Sequence, residues 1–276
     1  MSLRLAMIVG ASLLLALPAF AAEEQEPEAL RGITVHDQRG AQLDLGLTFS
    51  DHDGKRVRLA DFFDGKRPVL LTLNYYQCRM LCTEVLNGTV AALRGLEWSP
   101  GEQYRVVTVS IDGRETPELA AEKRRSYLEA LDKGDVDWTF LVGDTETIAK
   151  LAETVGFTYR YDRQAMEWAH PAVIHFLSPD GRVMQYLFGV KYPVQSVKFA
   201  LMEAGEGKVG STFDKLIFSC FHYDALRGAY GPWAFGIMRL GGICTAVFLA
   251  GFVGILWRRD RARQRAHLAQ TVELLA

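Results

Sequence analysis

The sequence predicts an α/β fold: a central mixed sheet flanked by helices, followed by one C-terminal transmembrane helix. Three observations predict it. Between about residues 42 and 205, short runs of β-branched and aromatic residues alternate with segments of helical spacing. The alternation closes on two apolar runs folded about Pro179-Asp180-Gly181, which reads as an antiparallel hairpin at one side of the sheet. Finally, Leu240 to Trp257 carries no charged residue and is followed at once by "RRDRARQR".

In chain order, "LDLGLTFSDHDGKRVRLADFF" reads as two short strands around the turn Asp51-His52-Asp53-Gly54, then a short helical piece. "RPVLLTLNYY" is a near-continuous run of strand formers, as a strand covered on both faces requires. From Cys82 to Leu96 the spacing is helical, with Leu86, Val90 and Leu93 on one face. "YRVVTVSID" is a second buried strand, ending at Asp112. "TPELAAEKRRSYLEAL" starts a helix with Thr116 as N-cap and Pro117 at its first position. "DWTFLVG" is a third short strand. The helix "DTETIAKLAETVGF" follows, capped by Asp144 and ending near Gly156. The hairpin "AVIHFLSPDGRVMQYLFG" and the helix "VQSVKFALMEAG" complete the domain.

The ends set the expected organisation. Residues 1–21 read as a secretory signal peptide, with Arg4, an apolar run from Leu5 to Leu17 and the small-residue site Ala19-Phe20-Ala21. The alternative, an uncleaved anchor, meets an apolar run shorter than the ~20 residues a span needs. Residues 22–41 are expected to be a flexible mature N-terminus, 42–205 the folded domain and 206–234 an irregular membrane-proximal extension. Residues 235–257 are the transmembrane helix, with Trp233 and Trp257 at the interfaces and Arg239 able to snorkel; 258–276 is a basic cytoplasmic tail. The main domain then lies on the periplasmic side of a bacterial cytoplasmic membrane, anchored by a single pass. A formal net charge of -2 argues against a general nucleic-acid binder.

Four cysteines in an exported chain do not make a dense disulfide scaffold, and Cys244 falls within the expected span. Cys78 and Cys82 sit where a buried strand hands over to a helix. Free N–H groups at a helix N-terminus favour thiolates, and residues four apart on a helical turn converge. The pair therefore suits a disulfide, a redox couple or one soft ion, since thiolates select copper(I). A third ligand would come from the six histidines. His36 and His52 lie in the N-terminal strand and turn region, and His267 lies in the cytoplasmic tail. His170 precedes Pro171, which biases it to an extended conformation. His175 alternates within an apolar strand and reads as a hydrogen-bonded core residue. His222, in "FSCFHYDALRGAYG", makes with Cys220 either a second soft-metal pair near the membrane or part of a packed extension.

With these residues in view, the sequence resembles the Sco/SenC family, thioredoxin-like copper proteins of cytochrome c oxidase assembly. The resemblance rests on Cys78-x3-Cys82 after a strand, "SIDGRETP" from Ser110 to Pro117, and His170 nine residues before Pro179-Asp180-Gly181. It covers about residues 44 to 204. It implies a thioredoxin-like fold, one copper per domain as Cu(I) or Cu(II), and Cys78, Cys82 and His170 as its ligands. Asp112 matches an acidic position near that site. The implied client is the binuclear copper centre of cytochrome c oxidase subunit II, with other copper chaperones or thiol reductants as further partners. Arg79 and Thr83 stand where the family commonly has proline, and Gly113 replaces the usual proline after Asp112. The C-terminal anchor marks a subgroup, since many relatives are tethered at the N-terminus. The rival expectation is a metal-independent thiol–disulfide oxidoreductase, in which one of Cys78 and Cys82 attacks a client disulfide and the other resolves the intermediate.

Overall fold

The structure, a computed structural model, describes residues 32–77, 81–206, 221–224, 229–232, 241–259 and 261, with the backbone alone for 81, 82, 221–224 and 229–232. The signal peptide expected at 1–21 and the tail beyond Arg261 lie outside the described residues.

Nine strands and four helices build the domain. The strands are β1 (Thr48–Asp51), β2 (Arg56–Arg58), β3 (Val69–Asn74), β4 (Arg105–Ser110), β5 (Trp138–Val142), β6 (Arg160–Asp162), β7 (Glu167–Ala169), β8 (Val173–Leu177) and β9 (Val183–Phe188). The helices are α1 (Leu81–Gly95), α2 (Pro117–Leu131), α3 (Thr145–Thr154) and α4 (Val194–Ala204), and a 3-10 turn covers Leu59–Phe62. The two expected N-caps form: Thr116 Oγ1 accepts from the Leu119 N–H at 3.5 Å, and Asp144 accepts from the Thr147 N–H at 2.9 Å.

Seven strands form one sheet in the order β2-β1-β5-β4-β3-β8-β9. β3, β4 and β5 run parallel at its centre. β1 lies antiparallel to β5, and β8 antiparallel to β3. An antiparallel hairpin thus flanks the parallel core on each side, where the sequence reading placed one. β3 and β4 are buried almost throughout, because both of their faces are covered. Leu70, Val106, Phe140 and Phe176 point into one layer with Leu86, Leu93, Tyr127 and Val197 from α1, α2 and α4. Leu71, Val109 and Leu141 point into the other, with Ile148 and Leu151 of α3 and Phe49 of β1.

Three features differ from the sequence reading. The segment expected to be loose up to residue 41 is already tied down at His36, whose N–H donates to the Gly156 carbonyl at 2.8 Å. Gly156 has φ +72°, and a Cβ there would collide with the His36 carbonyl, so only glycine lets the two segments meet. A second antiparallel ribbon, β6–β7, interrupts the stretch between α3 and β8. Strands β10 (Phe221–Asp224) and β11 (Ala229–Pro232) pair antiparallel inside the extension expected to be irregular. Alternating Phe221, Tyr223 and Tyr230 supply the strand propensity that a composition-based reading of the segment overlooked.

The C-terminal helix α5 (Gly241–Arg259) is the one helix among the described residues long and apolar enough to cross a membrane. Arg261 stacks its guanidinium over the Trp257 ring, 3.6 Å from the centroid.

Candidate metal centre

Asp112, His170 and the end of the chain leading into Cys78 lie at the carboxyl edge of the parallel strands, where open α/β sheets place their sites. β3 leads into the cysteine segment and β4 into the loop of Asp112 and Glu115. Because β8 is antiparallel to β3, its N-terminal end, with His170 just before it, returns to the same edge. Cys78 lies outside the described residues, and Cys82 is placed by its backbone in the first turn of α1. Among the described residues no cluster of three metal-binding side chains gathers.

The chain entering Cys78 is held firmly. Tyr76 is buried, and its hydroxyl donates to the carbonyls of Leu141 at 2.7 Å and Thr108 at 3.2 Å. Its ring packs against Phe140, with centroids 5.7 Å apart. Burial, reinforced by the charge of Glu115, raises the phenol well above its ordinary pKa, so it stays a neutral donor. At the main chain, the Glu115 carboxylate accepts from the N–H groups of Tyr76 and Gln77, each at 2.8 Å. The Ser110 hydroxyl completes the set at 2.6 Å. Burial pushes the Glu115 carboxyl up, and these hydrogen bonds offset part of that shift. Sequence reading passed over Glu115, treating it as a spacer inside "SIDGRETP". The available signal was an acid placed directly before the Thr116 cap in a loop at the carboxyl edge.

Asp112 is occupied on both oxygens. Arg114 donates from Nε to Oδ1 at 2.8 Å and from Nη2 to Oδ2 at 2.6 Å, and Trp168 Nε1 donates to Oδ2 at 3.0 Å. Burial works against the charge, yet the bonds from Arg114 and Trp168 outweigh it and hold the carboxyl below its usual range. Asp112 therefore reaches His170 through β7: it fixes Trp168, two residues upstream. Gly113 is close-packed as well, since a Cβ there would lie 2.6 Å from Thr145 Oγ1 at the start of α3.

His170 is only 2% exposed. Its ring meets Tyr75 edge-on at 6.2 Å and Phe157 at 5.8 Å, centroid to centroid. Tyr75 lies three residues before Cys78, so the fold brings His170 against the same loop. His170 Nδ1 sits 3.0 Å from the Pro171 carbonyl. A carbonyl only accepts, so this contact requires a proton on Nδ1.

His175 is a core residue, as its alternation suggested, packed against Phe157 and Tyr186. Neither ring nitrogen makes a well-formed bond, and the Leu71 backbone is the polar group that acts on the ring. Burial lowers its pKa to about 4, with the Leu71 backbone opposing only in part. Cys220 lies outside the described residues, and His222 is placed by backbone in β10 opposite Gly231.

The model of the SCO1/SenC family matches residues 36–199, more than half of the chain. A comparison with curated proteins finds no match. A putative electron transfer protein from Aquifex aeolicus is 23% identical, with 60% of this chain and 94% of that one covered and a TM-score of 0.54. BsSco, described as a member of the Sco family of cytochrome c oxidase assembly proteins, is 19% identical, with coverage of 62% and 98% and a TM-score of 0.50. Arabidopsis thaliana ScoI, solved with copper bound, is 20% identical, with coverage of 60% and 96% and a TM-score of 0.47. At these identities the likeness to the first two speaks for the fold alone, the thioredoxin-like arrangement of a mixed sheet between helices. The family match carries the assignment: the chain belongs to the SCO1/SenC family.

Proposed function

We propose that this chain is a membrane-tethered copper metallochaperone of cytochrome c oxidase assembly. It holds one copper through Cys78, Cys82 and His170. Its client is the binuclear copper centre of oxidase subunit II, to which it delivers copper or whose cysteines it keeps reduced. The observation that carries the reading is the Nδ1–H of His170 on the Pro171 carbonyl. In this reading Nδ1 is spent on that carbonyl and Nε2 is the nitrogen that takes copper, beside the loop that leads into Cys78. Two thiolates and an imidazole suit copper(I), and a family member, Arabidopsis ScoI, was solved with copper bound. The ion is cargo. It leaves by ligand exchange, incoming thiolates replacing Cys78 and Cys82 one at a time.

In this reading residues 1–21 direct export, α5 anchors the chain in the cytoplasmic membrane, and the domain works on the periplasmic side. Confinement beside a membrane-bound client raises the effective concentration for transfer. Cys220 and His222 are the candidates for a second, weaker copper pair.

The test is copper(I) binding by the full chain in detergent, reduced and loaded without oxygen. His170→Ala should lose tight copper and retain disulfide exchange by Cys78 and Cys82. Unchanged copper affinity in that variant would remove His170 from the ligand set. A wild type without tight copper would leave the dithiol oxidoreductase as the function.

A further inference from the structure

We infer that Glu115 is a positioning residue for the cysteine pair: by binding the two backbone N–H groups that lead into Cys78, its carboxylate sets the geometry from which both thiols engage copper or each other. This rests on the reading of Cys78 and Cys82 as working thiols.

Glu115 is 9% exposed, a costly place for an acid unless it is fully partnered. Its partners are the hydroxyl of Ser110 and two consecutive main-chain amides, those of Tyr76 and Gln77, 39 and 38 residues away in sequence. Tyr76 and Gln77 are the last described residues before Cys78. Since the Tyr76 hydroxyl is bound inside the sheet to Leu141 and Thr108, the residue two before Cys78 is fixed at its main chain and at the tip of its side chain. The clamp joins the loops that follow β3 and β4 beyond the backbone bond from the Ile111 N–H to the Asn74 carbonyl at 2.9 Å. A disulfide needs its two Cβ atoms ~3.5–4.5 Å apart, and a shared copper is similarly exacting. Freedom introduced just upstream of Cys78 therefore weakens both.

The variants separate this role from simple packing. Glu115→Gln keeps the shape but offers one acceptor oxygen and an NH2, so one of the two amides loses its acceptor. Ser110→Ala removes the hydroxyl and leaves both amide bonds in place. The full chain in detergent is titrated with copper(I) against a chromophoric chelator. In parallel it is equilibrated with glutathione. There the two protein thiols give two electrons and two protons to one glutathione disulfide, yielding the protein disulfide and two glutathiones.

Glu115→Gln should weaken copper by about tenfold, the range seen when a group orienting a ligand is removed. It should also shift the glutathione equilibrium toward the dithiol by a similar factor, with Ser110→Ala, which keeps both amide bonds, changing each by less. A folded Glu115→Gln protein that matches wild type in both measurements overturns the inference. Should that variant fail to fold, hydrogen exchange on the wild type decides. Slow exchange at the Tyr76 and Gln77 amides supports the clamp, and exchange at the rate of open loop amides overturns it. A wild type that binds no copper defeats the proposed function, and the glutathione equilibrium still decides for or against Glu115.

Discussion

The two walls of the candidate centre are built in different ways. The side that leads into Cys78 is anchored in the core. Tyr76 is buried against Phe140 with its hydroxyl bound inside the sheet, and Glu115 clamps the backbone above it. The histidine wall hangs on the β6–β7 ribbon, two strands of three residues each. Trp168 sits between Tyr159 and Tyr161, with centroids at 5.4 and 5.2 Å, and reaches Asp112 through its indole N–H. Arg114 covers Tyr161 from outside at 5.1 Å. A two-stranded ribbon is marginal by itself, so its order depends on these half-buried contacts. The difference teaches that one wall is rigid because unfolding it would open the core, whereas the other can loosen while the core stays closed.

Truncating one anchor on each side breaks or confirms this contrast. Tyr76→Ala should cost about 3–5 kcal/mol, the range for deleting a buried aromatic side chain, because it opens a cavity and leaves two carbonyls without their donor. Trp168→Ala should cost about 1–2 kcal/mol, since half-buried rings contribute less and the Asp112 carboxylate retains Arg114. Urea unfolding of the two variants beside wild type measures both. Equal losses would mean that the ribbon is as integral to the fold as the core wall.

A smaller effect comes from acid, because two carboxyls three residues apart are shifted in opposite directions. Asp112 is held below its ordinary range, mainly by Arg114 and Trp168 against the pull of burial. Its contribution is present above the ordinary aspartate value, ~3.9, and is lost as pH falls below it. Glu115 is raised by burial, so the native state binds its proton first and that contribution grows as pH falls toward the ordinary glutamate value. Urea midpoints from pH 7 down to 3 should therefore show a loss below about pH 4 that is weaker in Asp112→Asn, which is also less stable than wild type at neutral pH. An unchanged acid limb in that variant would assign the loss to other carboxyls.

What was legible in the sequence was local. The Thr116 and Asp144 caps, the Pro179-Asp180-Gly181 turn and the buried runs of β3 and β4 declare themselves within a few residues. His170 was singled out because proline follows it and because its spacing resembles a family pattern. Glu115 was missed because its partners are more than thirty residues away, and no periodicity reports a side chain meeting distant amides. The β6–β7 ribbon was missed because three-residue strands give no alternation to count. Its clearest mark is the Asp162 side chain accepting from the Gln164 and Ala165 amides, an ordinary turn signal. Pairing of β1 with β5 spans only two residue pairs and depends on where α2 and β5 have already been placed.

The smallest neutral-pH effect is the most specific check on the histidine wall, because it separates two histidines five residues apart. Both are buried. His170 has its Nδ1 bound to a carbonyl and lies against Tyr75 at the edge of the site, whereas His175 is mid-strand with neither ring nitrogen well bonded. A polar ring buried without a well-formed bond costs stability, and an apolar side chain of similar size removes that cost. His175→Leu should therefore lie within about 1 kcal/mol of wild type at pH 7, on the stabilising side, and should bind copper unchanged. It should also flatten one pH window. The native pKa of His175 is lowered to about 4 from 6.5, so the unfolded chain binds more protons between those values and wild type loses stability as pH falls through them. A strongly destabilised His175→Leu would mean that the ring makes a bond the native state needs, and His175 would no longer stand apart from the proposed ligand as a purely core histidine.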